Sequence, residues 1–339
     1  MAKHRTSLKD LAQELGVSIA TVSRALHSSP EIGKDMQLRV KELAKKLNYR
    51  PNPFAQSLRK EAPKIIGVVV PNLVTHYYAA VLDGIEDEAR RAGYSVISAN
   101  THEDCLDEQR AVDNFIDLHV VGIIACLAQS TTDYSHFEAL DDMGIPLVFF
   151  GRTCLTDRFS SVTANGDEAA QQATQHLIDT GSRRIAFIGG PNHLDMVRRR
   201  KHGYLEALRE NRIPIERELV VCDNIDYAVA LKNTTSLLQR PNRPDAIVAF
   251  NDILLFAAFN AIKQQGLRIP EDIALIGFTD DVHAQYTTPR LSAIEDQSFK
   301  MGQTACQLLL ANIGGDTKVR KEIFPQKLVI RDTSAKQVK

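Results

Sequence analysis

The chain has 339 residues, of which 44% are hydrophobic and 24% are charged, and it contains no tryptophan. This composition is typical of a globular protein, and the length predicts two or three domains rather than one core. The longest apolar run, residues 120–128, is far too short to cross a membrane, and the polar first residues predict no secretory signal.

Charge is unevenly distributed along the chain, although the formal net charge is only −1. Residues 1–64 contain 13 Lys and Arg against 6 Asp and Glu, so the remainder of the chain is acidic. A small basic head on an acidic body is typical of a nucleic-acid-binding module joined to a second domain. The five cysteines never stand in C-x-x-C spacing, which predicts reduced thiols in a cytoplasmic protein without a zinc site or a disulfide framework.

Two short helices are predicted near the start of the chain, on either side of Gly16. Apolar residues stand at helical spacing at Leu8, Leu11, Ala12 and Leu15. Ser7 and Asp10 form the pattern of a capping box at the start of the first helix. Gly16 provides a left-handed helix end, and Ser18 can cap a second helix over about 19–26. A second helix that follows a short turn in this way fits the DNA major groove.

The side chains of the second helix that packing does not need suit DNA contacts. Small hydroxyls suit phosphate oxygens, and Arg24 can bind a guanine edge or a phosphate. Ile19 and Ala20 can contact a thymine methyl group. The alternative is an ordinary pair of amphipathic helices. The residues predicted to contact DNA, including those of the linker described below, are Ser7, Ser18, Ile19, Ala20, Thr21, Ser23, Arg24, Asn52, Ala55 and Leu58.

A third helix is predicted over about 34–47, with Leu38, Leu43 and Leu47 supplying much of its apolar face. Three helices around one small core make a module that ends at about residue 50. The residues that follow, 51–62, are too polar and too few to form a helix that is stable alone. This favours a linker whose helix folds only on DNA.

From residue 65 onward the pattern changes to strands that alternate with helices. Apolar runs such as 65–70 are typical of buried parallel strands. The series begins again at about 184, and Gly84 and Gly203 stand at corresponding places in the first helix of each half. Two similar α/β halves predict two doubly wound parallel sheets, with a ligand cleft at the carboxyl ends of their strands.

In combination these motifs resemble the signature of the lactose-repressor (LacI/GalR) family of bacterial transcriptional regulators. The likeness extends to about Arg331 and is carried by residues 6–12, 16–18, 21–26, 48–52 and 55–58. The resemblance implies an α/β fold class with an N-terminal three-helix helix-turn-helix domain and a hinge. A two-lobed effector domain with the architecture of periplasmic binding proteins is expected to follow.

The resemblance also implies the domain boundaries. We expect the DNA-binding domain at 1–50, the hinge at 51–62 and the effector-binding and dimerisation domain at 63–339. The chain is expected to cross between lobes, so that lobe 1 comprises about 63–163 and 292–324, and lobe 2 about 164–291 and 325–335. Leu58 matches the leucine that inserts into the minor groove and kinks the duplex. In a plain linker, Leu58 would instead pack on the next domain.

Strand-end loops supply the residues expected to bind the effector: Asn72, Tyr77, Tyr78, Arg152, Arg198, Arg200, Asn251 and Thr279. Tyr78 is interpreted equally well as a core residue at the start of a helix. By resemblance, Arg200 stands where family members often place a ligand-binding arginine, and Arg198 is the neighbouring alternative. Asn251 is expected to contact the ligand while Asp252 caps the helix that follows.

Two departures from the family pattern bear on the effector. Thr279 stands where the family has the first acid of a Gly-aromatic-Asp-Asp motif, and Gly151-Arg152 stands where many members have Asp-Arg. Both departures remove carboxylates that commonly hold sugar hydroxyls. A phosphorylated or anionic effector therefore gains weight, with Arg152 and Arg200 nearby.

The sequence contains no Gly-x-Ser-x-Gly, H-E-x-x-H or P-loop motif, so neither catalysis nor a metal or other cofactor is predicted. We expect a DNA-binding transcriptional regulator, a repressor, that binds a pseudo-palindromic double-stranded operator as a homodimer or tetramer. A sugar, sugar phosphate or related metabolite is the expected effector, and no membrane partner is expected. Three alternatives stay open: a receptor whose basic head contacts something other than DNA, a regulator signalled by a partner protein, and a two-lobed enzyme.

Overall fold

The computed structural model describes residues 6–47, 49, 64–279 and 282–335. The chain divides into two compact units, Met1–Pro63 and Lys64–Lys339. The predicted hinge residues Asn52, Ala55 and Leu58 lie outside the described residues, so their roles stay predictions.

The first unit contains helices α1 (Leu8–Leu15), α2 (Ile19–Leu26) and α3 (Lys34–Lys46). The predicted capping box is present at the start of α1, because the Ser7 hydroxyl accepts from the Asp10 N–H while the Asp10 carboxylate accepts from the Ser7 N–H at 2.7 Å. Gly16 ends α1 with a φ of +66°, the left-handed conformation that glycine adopts without strain.

The three helices enclose one small core. Its buried residues are Leu11, Ala12, Val22, Ala25, Val40 and Ala44. The prediction for α3 was wrong at Leu38, whose side chain is 61% exposed. Successive residues of a helix are about 100° apart, so Leu38 lies on the far side of α3 from the Val40 and Ala44 pair that faces the core.

The second unit contains two six-stranded sheets, which confirms the predicted α/β class with two doubly wound sheets. The first sheet has the order β11-β5-β4-β3-β1-β2 and comprises β1 (Ile65–Val70), β2 (Ser95–Asn100), β3 (Gly122–Ala125), β4 (Leu147–Phe150), β5 (Ser160–Ala164) and β11 (Lys321–Phe324). All its strands are parallel.

The second sheet has the order β12-β10-β9-β8-β6-β7 and is parallel except that β12 runs antiparallel to β10. It comprises β6 (Ile185–Gly189), β7 (Val220–Cys222), β8 (Ala246–Ala249), β9 (Ala274–Phe278), β10 (Ser292–Glu295) and β12 (Lys327–Val329). Each sheet is the centre of one lobe, and the strand cores are almost entirely apolar.

Helices cover the sheets of both lobes. They are α4 (His76–Arg91), α5 (Cys105–Asp117), α6 (Ser135–Asp142), α7 (Gly166–Asp179), α8 (Asp195–Glu210), α9 (Tyr227–Leu238), α10 (Asp252–Gln264) and α11 (Ser298–Ile313). Short 3-10 turns occupy Arg217–Leu219 and Val282–Gln285.

The predicted return of the chain to the first lobe at residue 292 was wrong. Ser292–Glu295 is a strand of the second sheet, where β10 pairs with β9 and β12. The chain returns to the first lobe only after this strand, where α11 packs on α4 and β11 pairs with β5. The apolar residues of a buried strand suit either sheet equally, so the sequence pattern did not distinguish the two placements.

Glycines allow the paired helices of each lobe to approach closely. An ideal Cβ on Gly84 of α4 would lie 2.0 Å from the carbonyl oxygen of Phe299 in α11. In the second lobe, a Cβ on Gly203 of α8 would lie 1.9 Å from the carbonyl oxygen of Asp167 in α7. Gly84 and Gly203, which occupy corresponding places in the two halves of the sequence, therefore allow the same close helix crossing in both lobes.

We expect Gly203→Ala to lower the free energy of unfolding of the second unit by about 1–3 kcal/mol or more, because the added methyl group collides with helix backbone. The sign of the change in unfolding free energy shows whether the position is crowded, since Gly-to-Ala changes in an unobstructed helix stabilise by about 1 kcal/mol. Urea denaturation of the full chain measures the effect. Gly33→Ala, where no atom lies within 4 Å of the added Cβ, is the control. A higher unfolding midpoint for Gly203→Ala would contradict the close crossing.

Candidate functional site

The exposed face of α2 carries most of the residues predicted to contact DNA. Ser18 and Ala20 are exposed, Ile19 is 48% exposed and Thr21 is half-buried. The Ser18 hydroxyl caps α2 by accepting from the Thr21 N–H at 3.1 Å, which fixes the start of the helix. An exposed isoleucine beside an alanine leaves an apolar strip suited to a thymine methyl group.

Two of the residues predicted to contact DNA, Ser7 and Ser23, also have roles within the first unit. Ser23 is only 8% exposed because it lies beside Val22 on the side of α2 that packs into the core. The Ser7 hydroxyl donates to the Asp10 carboxylate at 2.8 Å as part of the capping box. Ser7 therefore also stabilises the start of α1 and Ser23 is largely buried, and their contacts with DNA stay predictions.

Arg24 lies on the exposed face of α2 with its side chain half exposed. Its guanidinium forms an ion pair with Glu31 at 2.9 Å, and Glu31 is itself 68% exposed. An exposed pair of this kind contributes at most about 1 kcal/mol to folding. The pair restrains Arg24 without burying it, and it also places a carboxylate beside the surface expected to face phosphates.

The cleft between the two lobes is lined by residues of both lobes and is open to solvent. It lies beyond the carboxyl ends of strands from both sheets, as expected for doubly wound lobes. Its lining residues are Thr75, Tyr77, Tyr78, Glu103, Cys126, Arg152, Met196, Arg200, Ile225, Phe250, Asn251, Asp252, Ile253, Phe278, Thr279 and Asp296. Six of the eight residues predicted to bind the effector are therefore brought together.

Asn72 and Arg198 do not line the cleft. The Asn72 carboxamide oxygen accepts from the Val74 N–H at 2.8 Å, so it closes a local turn. Arg198 pairs with Asp195 at 3.0 Å and donates to the main-chain oxygen of His193 at 2.6 Å. Of the two alternatives left by the sequence, the cleft therefore contains Arg200.

The buried Arg152 forms an ion pair with the partly buried Glu103 in the wall of the cleft. The two guanidinium nitrogens of Arg152 donate to the Glu103 carboxylate at 2.6 and 3.0 Å, and one of them also donates to the Leu127 carbonyl at 3.1 Å. This bidentate geometry neutralises Arg152 and occupies much of its donor capacity. The sequence analysis did not identify Glu103.

The backbone before Glu103 is held in an unusual conformation. His102 and Glu103 have φ values of +51° and +63°, a region that residues with a Cβ rarely adopt. Such strain persists where the surrounding structure fixes it, and it concentrates at functional sites. Here it turns the Glu103 carboxylate toward Arg152.

Gly151 makes room for the phenol of Tyr77. Its φ is +63°, and an added Cβ would lie 2.8 Å from the Tyr77 hydroxyl oxygen. The position where many family members have an aspartate thus cannot hold a side chain here without displacing Tyr77. The carboxylate in this part of the cleft comes instead from Glu103.

Arg200 is buried between two aromatic rings of the second lobe. Its guanidinium carbon lies 3.7 Å from the ring centroid of Phe278 and 4.9 Å from that of Phe250, and it donates to the Phe250 carbonyl. The Asp296 carboxylate lies 3.8 Å from its other terminal nitrogen. Burial lowers the pKa of Arg200, and the Asp296 charge opposes that shift.

Tyr78 and Cys126 form the apolar floor of the cleft. The Tyr78 ring is buried and contacts Phe150 edge-on at 6.4 Å, so Tyr78 is a core residue whose edge borders the cleft. Burial raises the pKa of the Tyr78 phenol well above its usual value and that of the Cys126 thiol to about 12. Both groups stay protonated at neutral pH, and the thiol is a poor nucleophile.

Asn251 performs the capping role that the sequence assigned to Asp252. The Asn251 carboxamide oxygen accepts from the Leu254 N–H at 3.1 Å at the start of α10. Asp252 accepts from the next residue, Ile253, at 2.8 Å. The predicted capping role of Asp252 was therefore wrong, although both residues border the cleft.

No group of three or more His, Cys, Asp or Glu side chains in 6–47, 49, 64–279 and 282–335 is arranged to hold a metal ion. Within the same part of the chain, no helix combines the length and apolar character needed to span a membrane.

Comparisons with known proteins agree with this architecture. Residues 7–52 match the family model for bacterial regulatory proteins of the lacI family, and residues 174–334 match that for a periplasmic binding protein-like domain. The probable HTH-type transcriptional repressor ExuR of Bacillus subtilis is 33% identical over 96% of this chain and 98% of its own length. The chain belongs to the lacI family.

Other lacI-family proteins share both sequence and fold with it. The ribose operon repressor of Bacillus subtilis is 32% identical over 91% of each chain. The lac repressor dimer bound to operator and the anti-inducer ONPF superposes with a TM-score of 0.82 at 25% identity, covering 98% of this chain and 99% of that one. The regulator CelR in complex with cellobiose gives 0.74 at 27% identity, covering 97% and 100%.

We expect Arg152→Met to destabilise the second unit by about 1–3 kcal/mol, because it leaves the partly buried Glu103 carboxylate without its counter-charge. Urea denaturation measures the loss. The double variant Glu103→Leu/Arg152→Met is the control, since it removes both charges and should recover most of the stability. Equal destabilisation in the single and double variants would show that the ion pair does not account for the loss.

Proposed function

We propose that this lacI-family chain is a cytoplasmic transcriptional repressor that binds a pseudo-palindromic operator as a homodimer and responds to a small molecule bound in the cleft. The observation that carries the proposal is the exposed face of α2, where Ile19 and Arg24 project from a helix fixed by a capped turn. Two such helices in a dimer would contact major-groove half-sites about 34–36 Å apart. Repressor relatives of similar length support the same function.

The proposed effect of the small molecule is a linkage between two sites. A ligand changes operator affinity only through its differential affinity for two lobe arrangements. A cleft lined by both lobes supplies that difference, because the lining changes when the lobes move. Binding rather than catalysis is proposed for this cleft, whose thiol and phenol groups are held protonated.

The charges of the cleft favour a neutral effector over an anionic one. Arg152 is neutralised by Glu103, and Arg200 lies beside Asp296. With Asp252 there are three carboxylates for two guanidinium groups among the lining residues. A polyhydroxylated ring would place its apolar face on aromatic side chains and its hydroxyls on these polar groups. The anionic effector suggested by the sequence therefore loses weight.

Arg24→Ala should weaken binding to the preferred duplex by about 1–3 kcal/mol, because a guanidinium that reads a base edge is lost. The duplex is selected from a random library with the wild-type chain, and binding is measured at several salt concentrations by gel shift. Arg209→Ala, which removes an exposed arginine from the second unit, is the control. An unchanged ratio of preferred to scrambled DNA affinity would exclude base reading by Arg24.

Glu31→Gln should strengthen binding to scrambled duplex several-fold at low salt, because it removes a carboxylate beside the phosphate-facing surface. The same gel shifts measure this effect, and Glu14→Gln, an exposed change on α1, is the comparison. Unchanged affinity would place Glu31 and its partner Arg24 away from the DNA.

Arg200→Ala should abolish the thermal shift caused by whichever neutral sugar stabilises the wild-type chain, while leaving DNA binding without ligand intact. Binding of a ligand at 100 times its Kd stabilises by about 2.7 kcal/mol, which a thermal shift detects readily. Arg199→Ala is the matched control, because its half-exposed neighbouring side chain pairs with Asp195 outside the cleft. A normal shift in Arg200→Ala would remove Arg200 from the binding site.

A further inference from the structure

A single residue of the first lobe contacts two separate loops of the second lobe. The main-chain oxygen of Gln129 accepts from the ring Nε2 of His193 at 2.7 Å, and its side-chain oxygen accepts from the Ile225 N–H at 2.9 Å. His193 lies in the loop between β6 and α8, and Ile225 lies in the loop between β7 and α9. Gln129 therefore joins the lobes beside the cleft that Ile225 lines.

The loop that carries Gln129 is firmly attached to its own lobe. The fully buried carboxylate of Glu108 accepts from the Ala128 N–H at 2.6 Å and from the Thr131 hydroxyl at 2.7 Å. The Ser130 hydroxyl accepts from the Cys105 N–H at 2.8 Å. These hydrogen bonds, on either side of Gln129, hold it toward the second lobe.

Gln129 is also attached directly to the wall of the cleft. Its N–H donates to the Glu103 carboxylate at 2.7 Å, to the same oxygen that accepts from Arg152. Glu103 does not contact the second lobe in any described hydrogen bond or ion pair. The hydrogen bond to Gln129 is therefore a direct connection from Glu103 to the residue that contacts the second lobe.

The second lobe holds its side of the contact in place as well. Arg198 donates to the main-chain oxygen of His193 at 2.6 Å and is itself paired with Asp195. The side chain that the sequence suggested as an effector ligand thus orients the histidine that reaches Gln129.

We propose that Gln129 is a latch, a contact that stabilises the arrangement of the lobes seen in this structure, and that Glu103 is the positioning residue that couples the latch to the effector cleft. A ligand that hydrogen-bonds to Glu103 or Arg152 alters the charge and geometry at the oxygen that holds the Gln129 N–H. The inference deepens the proposed function and rests on it only in naming the cleft ligand as the effector.

Amide hydrogen exchange of the full chain, without ligand or DNA, tests the latch directly. The Ile225 N–H reports the contact, because its acceptor is the Gln129 side chain. We expect Gln129→Ala to accelerate exchange at Ile225 about 2- to 10-fold, the change produced by losing one hydrogen bond. Thr132→Ala, an exposed change in the same loop, should leave that exchange unaltered. Unaltered exchange in Gln129→Ala would overturn the latch.

Glu103→Gln tests the coupling, since it keeps the shape of the side chain but removes the carboxylate. Faster exchange at Ile225 by a similar factor, with unaltered exchange in α10, supports the positioning role. A purely structural role of Glu103 in the first lobe predicts wild-type exchange at Ile225, and that result would overturn the coupling. If Glu103→Gln fails to fold, Glu103→Asp, which keeps the charge but withdraws it from Gln129, is measured by the same criterion.

His193→Ala is the variant at the opposite end of the latch, and it changes an exposed residue outside the core. It should accelerate Ile225 exchange as well, because it removes the other hydrogen bond to Gln129. Since none of these measurements uses an operator or an effector, failure to bind DNA would defeat the proposed function and leave the latch standing. Wild-type exchange at Ile225 in every variant would overturn the latch and leave the proposed function standing.

Discussion

The carboxylate of Glu103 lies where three features of the second unit meet. It neutralises Arg152 in the wall of the cleft, it accepts from the N–H of Gln129 in the loop that reaches the other lobe, and it is held there by two successive left-handed residues. A buried carboxylate is tolerated only when its charge and its lone pairs are satisfied. That requirement links the charged residues of the cleft wall to the position of the loop that carries Gln129.

The two units differ in size and in charge. The first is a small basic module whose core consists of six buried residues, and α2 is fixed by a capping serine rather than by extensive packing. The second is large enough to bury two sheets and to hold polar side chains in defined positions between them. A hundredfold change in operator affinity requires about 2.7 kcal/mol of coupling, which a few inter-lobe hydrogen bonds and one buried ion pair can supply.

Local patterns in the sequence predicted much of this architecture. The capping box at Ser7, the left-handed Gly16 and the buried strands follow from near-neighbour physics, which a single sequence contains. The repeated glycines at 84 and 203 likewise identified equivalent helices. By contrast, Leu38 was assigned to the wrong face, whereas Leu43 and Leu47 do pack against the core beside the smaller Val40 and Ala44.

The errors at the site have a different origin. Glu103 was missed because its role depends on a partner 49 residues away and on an unusual backbone turn, and neither has a sequence signal. Arg198 and Arg200 are two residues apart, but the helix turns them in different directions, so only one reaches the cleft. The glycine at position 151, where many family members have an aspartate, was a usable signal in the sequence. A missing carboxylate beside a retained arginine implies that another acid must pair with Arg152.

The central claim is that the cleft and the DNA surface are energetically linked, and linkage is reciprocal. The most direct measurement is calorimetric titration of a neutral sugar that stabilises the chain into the free protein and into its operator complex. The account predicts that the two ligand dissociation constants differ by the same factor as the operator dissociation constants measured with and without that sugar. Equal ligand affinities for the free and DNA-bound chain, alongside a change in operator affinity, would contradict it.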